Sequence, residues 1–244
     1  MNADDVRHEA IAAMAGAYFP VPGQRVIDRA DWFQVITPSV RHGSQNGIER
    51  AMIHDDVDAT IDAAISDYRS IGCKFRWTVP PGSAPDDLGE RLELRGLERR
   101  SIVAMARDSN EPLASVDSVT VERVTQATLD VFADLMAAGW GGDAGEARAM
   151  YLAAFAHQAM FLARIDGEPA GGAATVIFAR SAYLRGGVVL PQFRGRGVYR
   201  ALVAARVAAC GRTVVTSAAG ANSSGPILAR MGFAEVARYW AYRG

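Results

Sequence analysis

Cysteine is almost missing from this chain of 244 residues: only Cys73 and Cys210 occur, far apart and outside any metal-ligand spacing. That argues against a disulfide framework or a zinc site, and it fits two buried or semi-buried thiols in a reducing compartment. An excess of charge of one sign is missing too. Lys and Arg together number 26 against 27 for Asp and Glu, a net charge of −1, so the whole-protein field gives no attraction for nucleic acid or an anionic membrane. Any anion site must be local. No uninterrupted apolar run approaches the roughly 20 residues of a membrane span, and the opening Met-Asn-Ala-Asp-Asp has neither the basic region nor the apolar core of a leader. The expectation is a cytoplasmic protein with no metal and no redox chemistry, either a monomer or a homodimer. Half of the residues are hydrophobic, enough for one large core or two of about 100 to 130 residues each.

A polar, proline-containing stretch from Arg107 to Asp117 divides the chain, which predicts a first domain over 1–110, a linker over 111–117 and a second domain over 118–244. In the first part, Trp32 to Thr37, Phe75 to Val79 and Ser101 to Ala106 read as strands, with helical patterns at Val57 to Ile71 and Asp86 to Leu94. In the second, a strand at Val119 to Val124 precedes helices at Ala127 to Ala138 and Glu146 to His157. Phe161 to Ile165 and Ala170 to Ala179 flank Asp166-Gly167, a hairpin signal because glycine tolerates the positive φ of a primed turn. Tyr183 to Leu190, a helix after Gly197, Thr213 to Ser217, a helix near Pro226 to Arg230 and a strand at Ala234 to Tyr242 follow. The class is mixed α and β. Leu92-Glu-Leu-Arg-Gly96-Leu97 also echoes Leu228-Ala-Arg-Met-Gly232-Phe233, each reading as helix, stop, strand.

The run that carries chemistry is Val188-Val-Leu-Pro-Gln-Phe-Arg194-Gly195-Arg196-Gly197-Val198-Tyr199-Arg200-Ala201-Leu202. A strand ends, a basic turn follows, and a helix begins with Val198, Ala201, Leu202 and Ala205 on one apolar face. Gly195 and Gly197 allow close backbone approach, free N–H groups and the helix dipole favour anionic oxygen, and Arg194, Arg196 and Arg200 add positive charge. A basic turn without a ligand has the same local pattern. The run resembles the acyl-CoA pyrophosphate loop of GNAT N-acetyltransferases, Arg or Gln, two residues, Gly, one residue, Gly or Ala. In that register Arg194 and Gly197 match, and Tyr199 departs, standing where the family has its second small residue. Gln192, Gly195 and Gly197 fit a register two residues earlier, but there the Ala-Leu-Val helix signature is misplaced.

The resemblance covers roughly residues 118 to 244 and implies an acetyl-CoA dependent acyltransferase. It assigns the cofactor to Val188, Val189 and Leu190 on a splayed strand whose backbone pairs with the pantetheine arm, to Arg194, Gly195, Arg196, Gly197, Val198, Tyr199 and Arg200 at the phosphates, and to Asn222. An ungapped comparison puts Ala221 at the family's Asn, so Asn222 needs a one-residue shift. Pro226 to Phe233 resembles the helix ending in Gly-Phe that closes the cleft, with Leu228 where many members carry the Tyr that protonates the thiolate. Ser224, Ser217 or a water then substitutes, and the Val189 amide is the candidate donor to the thioester oxygen.

Trp140, Asp143 and Glu146, between two helices, and Tyr183 and Arg185, on the splayed strand, are the candidate acceptor contacts. Asp143 and Glu146 also have the spacing of a capping box, and His157 reads either as a base or, in preference, as a helix-end histidine placed against the dipole. Phe75-Arg-Trp77-Thr-Val-Pro80-Pro81, Pro85-Asp-Asp-Leu88 and Leu92 to Gly96 resemble the N-terminal half of two-part GNAT proteins, a degenerate copy. Such a copy implies tandem GNAT-like domains, each a mixed, mainly antiparallel sheet flanked by helices, with no CoA in the first. There Trp77 and Asn46 are possible cleft-wall residues, Trp77 with core packing as the alternative. Three readings follow: acetylation of a primary amine on a small molecule, acetylation of a protein N-terminus or lysine, and a non-catalytic CoA sensor.

Overall fold

A computed structural model describes residues 1–244. The elements in order are α1 (Ala3–Gly16), β1 (Arg25–Asp28), β2 (Trp32–Ile36), β3 (Gly47–Ala51), α2 (Val57–Arg69), β4 (Arg76–Val79), α3 (Leu88–Leu94), β5 (Glu98–Asp108), β6 (Thr120–Arg123), α4 (Leu129–Trp140), α5 (Ala144–Ala154), β7 (Ala159–Ile165), β8 (Glu168–Ile177), β9 (Ser181–Val189), α6 (Val198–Ala209), β10 (Val214–Gly220), α7 (Ser224–Arg230) and β11 (Ala234–Arg243). No helix is long and apolar enough to cross a membrane.

All eleven strands join one sheet in the order β1-β2-β3-β4-β11-β5-β10-β9-β8-β7-β6. Every pairing is antiparallel except β3 with β4 and β9 with β10. The run β1-β2-β3-α2-β4-α3-β5 therefore has the same order and the same sense of pairing as β7-β8-β9-α6-β10-α7-β11. The echo between the halves is physical. Leu97 N–H donates to Leu92 O at 3.2 Å and Phe233 N–H to Leu228 O at 3.1 Å, with Gly96 and Gly232 at φ 80° and 82°. In both places a buried leucine holds the helix, and a left-handed glycine turns the chain into the next strand. The last strand of each half is exchanged. β11 lies between β4 and β5, and β5 lies between β11 and β10, so each closes the sheet of the other half.

Side-chain alternation assigns the helices to faces. On β5, Val103 and Met105 pack with α6 and α7, while Ala104 packs with α1. On β8, Ala174 and Val176 face α4, α5 and α1, and on β11 Tyr242 faces α2 and α3. One face thus carries α1, α4 and α5, the other α2, α3, α6 and α7. The Asp166-Gly167 turn has φ 52° and 84° and pairs Ile165 with Glu168, as its sequence predicts. The sequence reading leaves out α1, β1 and β3. Only Ala10, Ala13 and Met14 of α1 are buried, a stripe of mostly small side chains with little periodic signal. β1 is a largely exposed edge, and β3 carries Glu49 and Arg50 inside an otherwise buried strand.

Candidate functional site

β9 and β10 pair only from Ser181 to Tyr183 against Val214 to Thr216. Beyond that point β9 runs to Val189 and β10 to Gly220 with no ladder between them. The divergence has a local cause. Across β8, Arg185 is opposite Ala174 and Val188 opposite Gly172, so Gly186 and Gly187 together face Ala173. This is a β-bulge, with Gly186 at φ 58°. Arg206 of α6, almost fully buried, holds it from below: Nη1 donates to Ala174 O at 3.1 Å and Gly186 O at 3.4 Å, and Nε donates to Leu202 O at 3.0 Å. Burial lowers this guanidinium to about 10, with Tyr199 opposing the shift. Leu190 N–H donates to Ala170 O at 3.0 Å. By strand alternation the N–H and C=O of Val189 point the other way, into the opening. Arg194 Nε donates to that carbonyl at 3.4 Å.

At the end of β9 a single turn over Pro191–Phe193 is anchored by the buried Phe193. Gly195 and Gly197 then take φ 79° and 84°. The main-chain N–H groups from Gly195 to Arg200 find no acceptor within the protein. Six donors at a helix start, with Arg194, Arg196 and Arg200 exposed beside them, form an anion cradle. Val198, Ala201 and Leu202 fix the helix to the sheet. The segment between the halves runs past this turn: Leu113 packs against the α6 and α7 side, and a Cβ on Gly197 would meet Val116 Cγ1 at 2.8 Å.

The matching helix start in the first half has the opposite electrostatics. Asp56 precedes α2 in the same left-handed conformation, φ 44°, but the sequence is His54-Asp55-Asp56-Val57-Asp58. Three carboxylates repel a phosphate there. Trp77 is fully buried and packs edge-on to Trp32, in the core and away from any wall. Asn46 is also buried, holding Thr37 and Val40 main chain.

Tyr199 turns its ring inward under the bulge, 3.2 Å from where a Cβ on Gly187 would stand. Burial raises its phenol, while the Arg206 charge and the Ser224 and Arg206 side chains beside the hydroxyl lower it. The departure from the small residue therefore places a phenol between α6 and the start of α7, next to Ser224. Asn222 is exposed in the turn before α7, and Leu228 is buried in its core.

The expected acceptor residues do not form one group. Asp143 Oδ1 accepts from Glu146 N–H at 2.8 Å and caps α5. Glu146 leaves the capping box open, because its carboxylate reaches across to accept from Arg41 N–H of the first half. Trp140 is exposed. On β9, Tyr183 is buried and Arg185 half-buried. Arg185 lies over the Phe19 ring at 5.3 Å and donates to Ala17 O and, at 3.0 Å, to Ser44 O. Replacing Asp143 by alanine is expected to cost about 1 kcal/mol of stability by removing the cap, which a thermal melt measures.

Inside the first half, close to Tyr183 of β9, lies a group the sequence reading misses. Glu49 on β3 accepts from Tyr18 Oη and from Thr78 Oγ1, each at 2.8 Å, and pairs with Arg76. Burial, then Glu49, holds the Tyr18 phenol well above its ordinary value, and burial raises Tyr183, with Arg76 pulling it down. The only signal in the sequence is Ile48-Glu-Arg inside an apolar segment, which is indistinguishable from an exposed edge strand.

Residues 126–225 match the Acetyltransferase (GNAT) family. Among curated proteins none matches the sequence. Solved structures do resemble it over nearly its whole length. A conserved protein of unknown function from Staphylococcus epidermidis covers 92% of this chain and 94% of its own at 12% identity, TM-score 0.68. A GCN5-related N-acetyltransferase from Kribbella flavida covers 97% and 95% at 16% identity, TM-score 0.63. A tandem GNAT protein from the clavulanic acid biosynthesis pathway covers 100% and 96% at 13% identity, TM-score 0.56. With a splayed parallel pair and a basic glycine turn in the second half, and the same strand and helix order repeated in the first, this chain has the GNAT-superfamily acetyltransferase fold in tandem form.

Proposed function

We propose that the chain is an N-acyltransferase that moves an acetyl group from acetyl-CoA to a primary amine of a small molecule by direct attack. One observation carries this reading: the opening between β9 and β10 ends on six unpaired N–H groups flanked by three arginines. The residues suit the donor. Val188, Val189 and Leu190 would pair with the pantetheine arm, Gly195 to Arg200 with Arg194 would hold the pyrophosphate, and Asn222 stands at the rim. Bound acetyl-CoA supplies an activated acyl group on a thiolate leaving group.

The protein's own part is positioning and proton handling. The Val189 N–H, aimed into the opening, would donate to the carbonyl oxygen on which charge develops. Tyr199, beside Ser224 and with its phenol raised by burial, keeps its proton at neutral pH and is our candidate donor to the thiolate in place of the tyrosine that Leu228 replaces. A thiolate near its normal pKa of about 8.5 needs little help, so Tyr199→Phe is expected to lower kcat about tenfold with KM for acetyl-CoA nearly unchanged. An equal kcat for the variant would remove Tyr199 from the chemistry.

A small acceptor is favoured because the first half lies over β9 on the acceptor side, through Ala17 and Ser44 on Arg185 and Arg41 on Glu146. Thiol release over a panel of primary amines, including lysine peptides, tests the reading. Turnover of small amines supports it, a preference for peptides moves it to protein acetylation, and acetyl-CoA binding without turnover of any amine leaves a non-catalytic sensor.

A further inference from the structure

The loop between β2 and β3 carries a histidine of the first half onto the second. Its main chain is tied on both sides of His42. Asn46, fully buried, holds Thr37 and Val40. Arg41 donates its N–H to Glu146 of α5 and accepts from Lys74 N–H at 2.9 Å, and Ser44 O accepts from Arg185 of β9 at 3.0 Å. The half-buried His42 ring is thereby set against the turn between α4 and α5, where a Cβ on Gly142 would lie 3.8 Å from its Cδ2. There it lines a small cavity with Met136, Trp140, Asp143 and Tyr151. Met136 connects this cavity to the opening of the sheet: its methyl carbon lies 3.9 Å from where a Cβ on Gly186 would stand, at the exposed bulge. One turn on, Gly139 sits so close to Val188 that a Cβ would overlap it. The free volume is about 10 Å³, the lower limit for a single water and too little for an amine. Three titratable side chains line it. Burial pushes Tyr151 up to about 12, with the Arg185 charge opposing, so it keeps its proton at neutral pH. The Asp143 carboxylate is committed to the cap of α5. Burial lowers His42; the Glu146 charge and its own main chain oppose that, and Arg185 adds to it. Its imidazole therefore keeps a free lone pair at neutral pH.

We propose that His42 is the general base of the acyl transfer, supplied by the first half, and that it takes the amine proton through one water held between its ring, Asp143 and Tyr151. The proposal rests on the acyltransferase reading of the opening between β9 and β10. The amine nitrogen attacks the thioester carbonyl, so that a C–N bond forms and the C–S bond breaks. The amine proton passes to the water and a water proton to His42, while the departing thiolate takes the Tyr199 proton. Amide and free thiol leave behind an imidazolium and a phenolate, and solvent returns that one proton from His42 to Tyr199. The charges around His42 are Arg41 on its own loop, Asp143, Glu146 and the neutral Tyr151 from α5 and its cap, and Arg185 from β9. On this assignment the first half is more than a cover: it completes the site.

The test uses the full chain, saturating acetyl-CoA, and benzylamine, putrescine, glucosamine and a lysine peptide as acceptors, with kcat followed from about pH 5 to 9. The rate constant kcat titrates groups of the bound complex and not the free amine. In wild type it is expected to fall as pH drops through the titration of His42, below the ordinary histidine value, because a protonated imidazole accepts no proton. His42→Gln is expected to lower kcat about 100-fold, to abolish that acidic fall, and to leave the KM for acetyl-CoA within about twofold. Glu146→Gln keeps an oxygen for the Arg41 N–H and removes the negative charge that opposes the lowering of His42, so the acidic fall should move to lower pH. A kcat for His42→Gln within about threefold of wild type, the same acidic fall in that variant, or an unmoved fall in Glu146→Gln overturns the role of His42 and leaves the acyltransferase reading standing. If His42→Gln does not melt cooperatively, the Glu146→Gln shift decides alone. Wild type that releases no thiol with any of the four acceptors overturns both.

Discussion

A chain ending at Phe233, without β11, is expected to show no cooperative thermal transition in either half. β11 supplies Tyr242 to the core under α2 and α3, and Ala237 and Tyr239 to the core under α1. It is the only strand that joins β4 to β5. Its loss bares the long edges of two central strands and strips the tyrosines from two cores, each worth about 3–5 kcal/mol by truncation of a buried aromatic. Against a typical total of about 5–15 kcal/mol, that is decisive. Far-ultraviolet circular dichroism and the fluorescence of Trp32 and Trp77 report the outcome. A truncated chain that still melts cooperatively near the full-length temperature would mean that the halves are energetically separate in spite of the exchange.

Reversing charge at the turn, Arg194→Glu with Arg200→Glu, is expected to weaken acetyl-CoA binding by about 10- to 100-fold per arginine, the value of a charge-assisted hydrogen bond at about 1.5–3 kcal/mol. Both side chains are exposed, so the melting temperature should hold within about 2 °C. Gly197→Glu is the less clean substitution. It forces a side chain onto φ 84° and brings its Cβ within 2.8 Å of Val116, so lost binding and local distortion would be confounded. Calorimetric titration of acetyl-CoA decides: affinity within twofold of wild type for the double reversal would take the pyrophosphate away from this turn.

Some of this architecture could be read from the sequence because a local rule carried it. Asp166-Gly167 gave its hairpin from turn chemistry, and Gly96 and Gly232 marked two equivalent helix ends. The basic turn declared itself through glycines and arginines within a few residues. What was not legible depends on partners distant in sequence. Alternation along Ala234 to Arg243 predicts a strand and its two faces, yet nothing in it states that β4 and β5 are the neighbours. Glu49 carries no signal of its burial in the sequence because its partners, Tyr18, Arg76 and Thr78, lie as far as 31 residues away. Tyr199 was identified as a departure, but the direction of its ring follows from the bulge at Gly186 and Gly187, which only pairing with β8 reveals. Glu146 has capping spacing, and its true partner, Arg41, lies 105 residues away.

The exchange of β5 and β11 also fixes a schedule for making the protein. A ribosome delivers the first half complete to Asp108 while β4 still has an open side that only residues 234–243 can cover. The N-terminal copy must therefore wait, unfinished, until residues 234–243 are made, and its exposed strand edge is free in the meantime to pair with the same strand of a neighbouring nascent chain. Termination before residue 234 would thus damage the first half as much as the second.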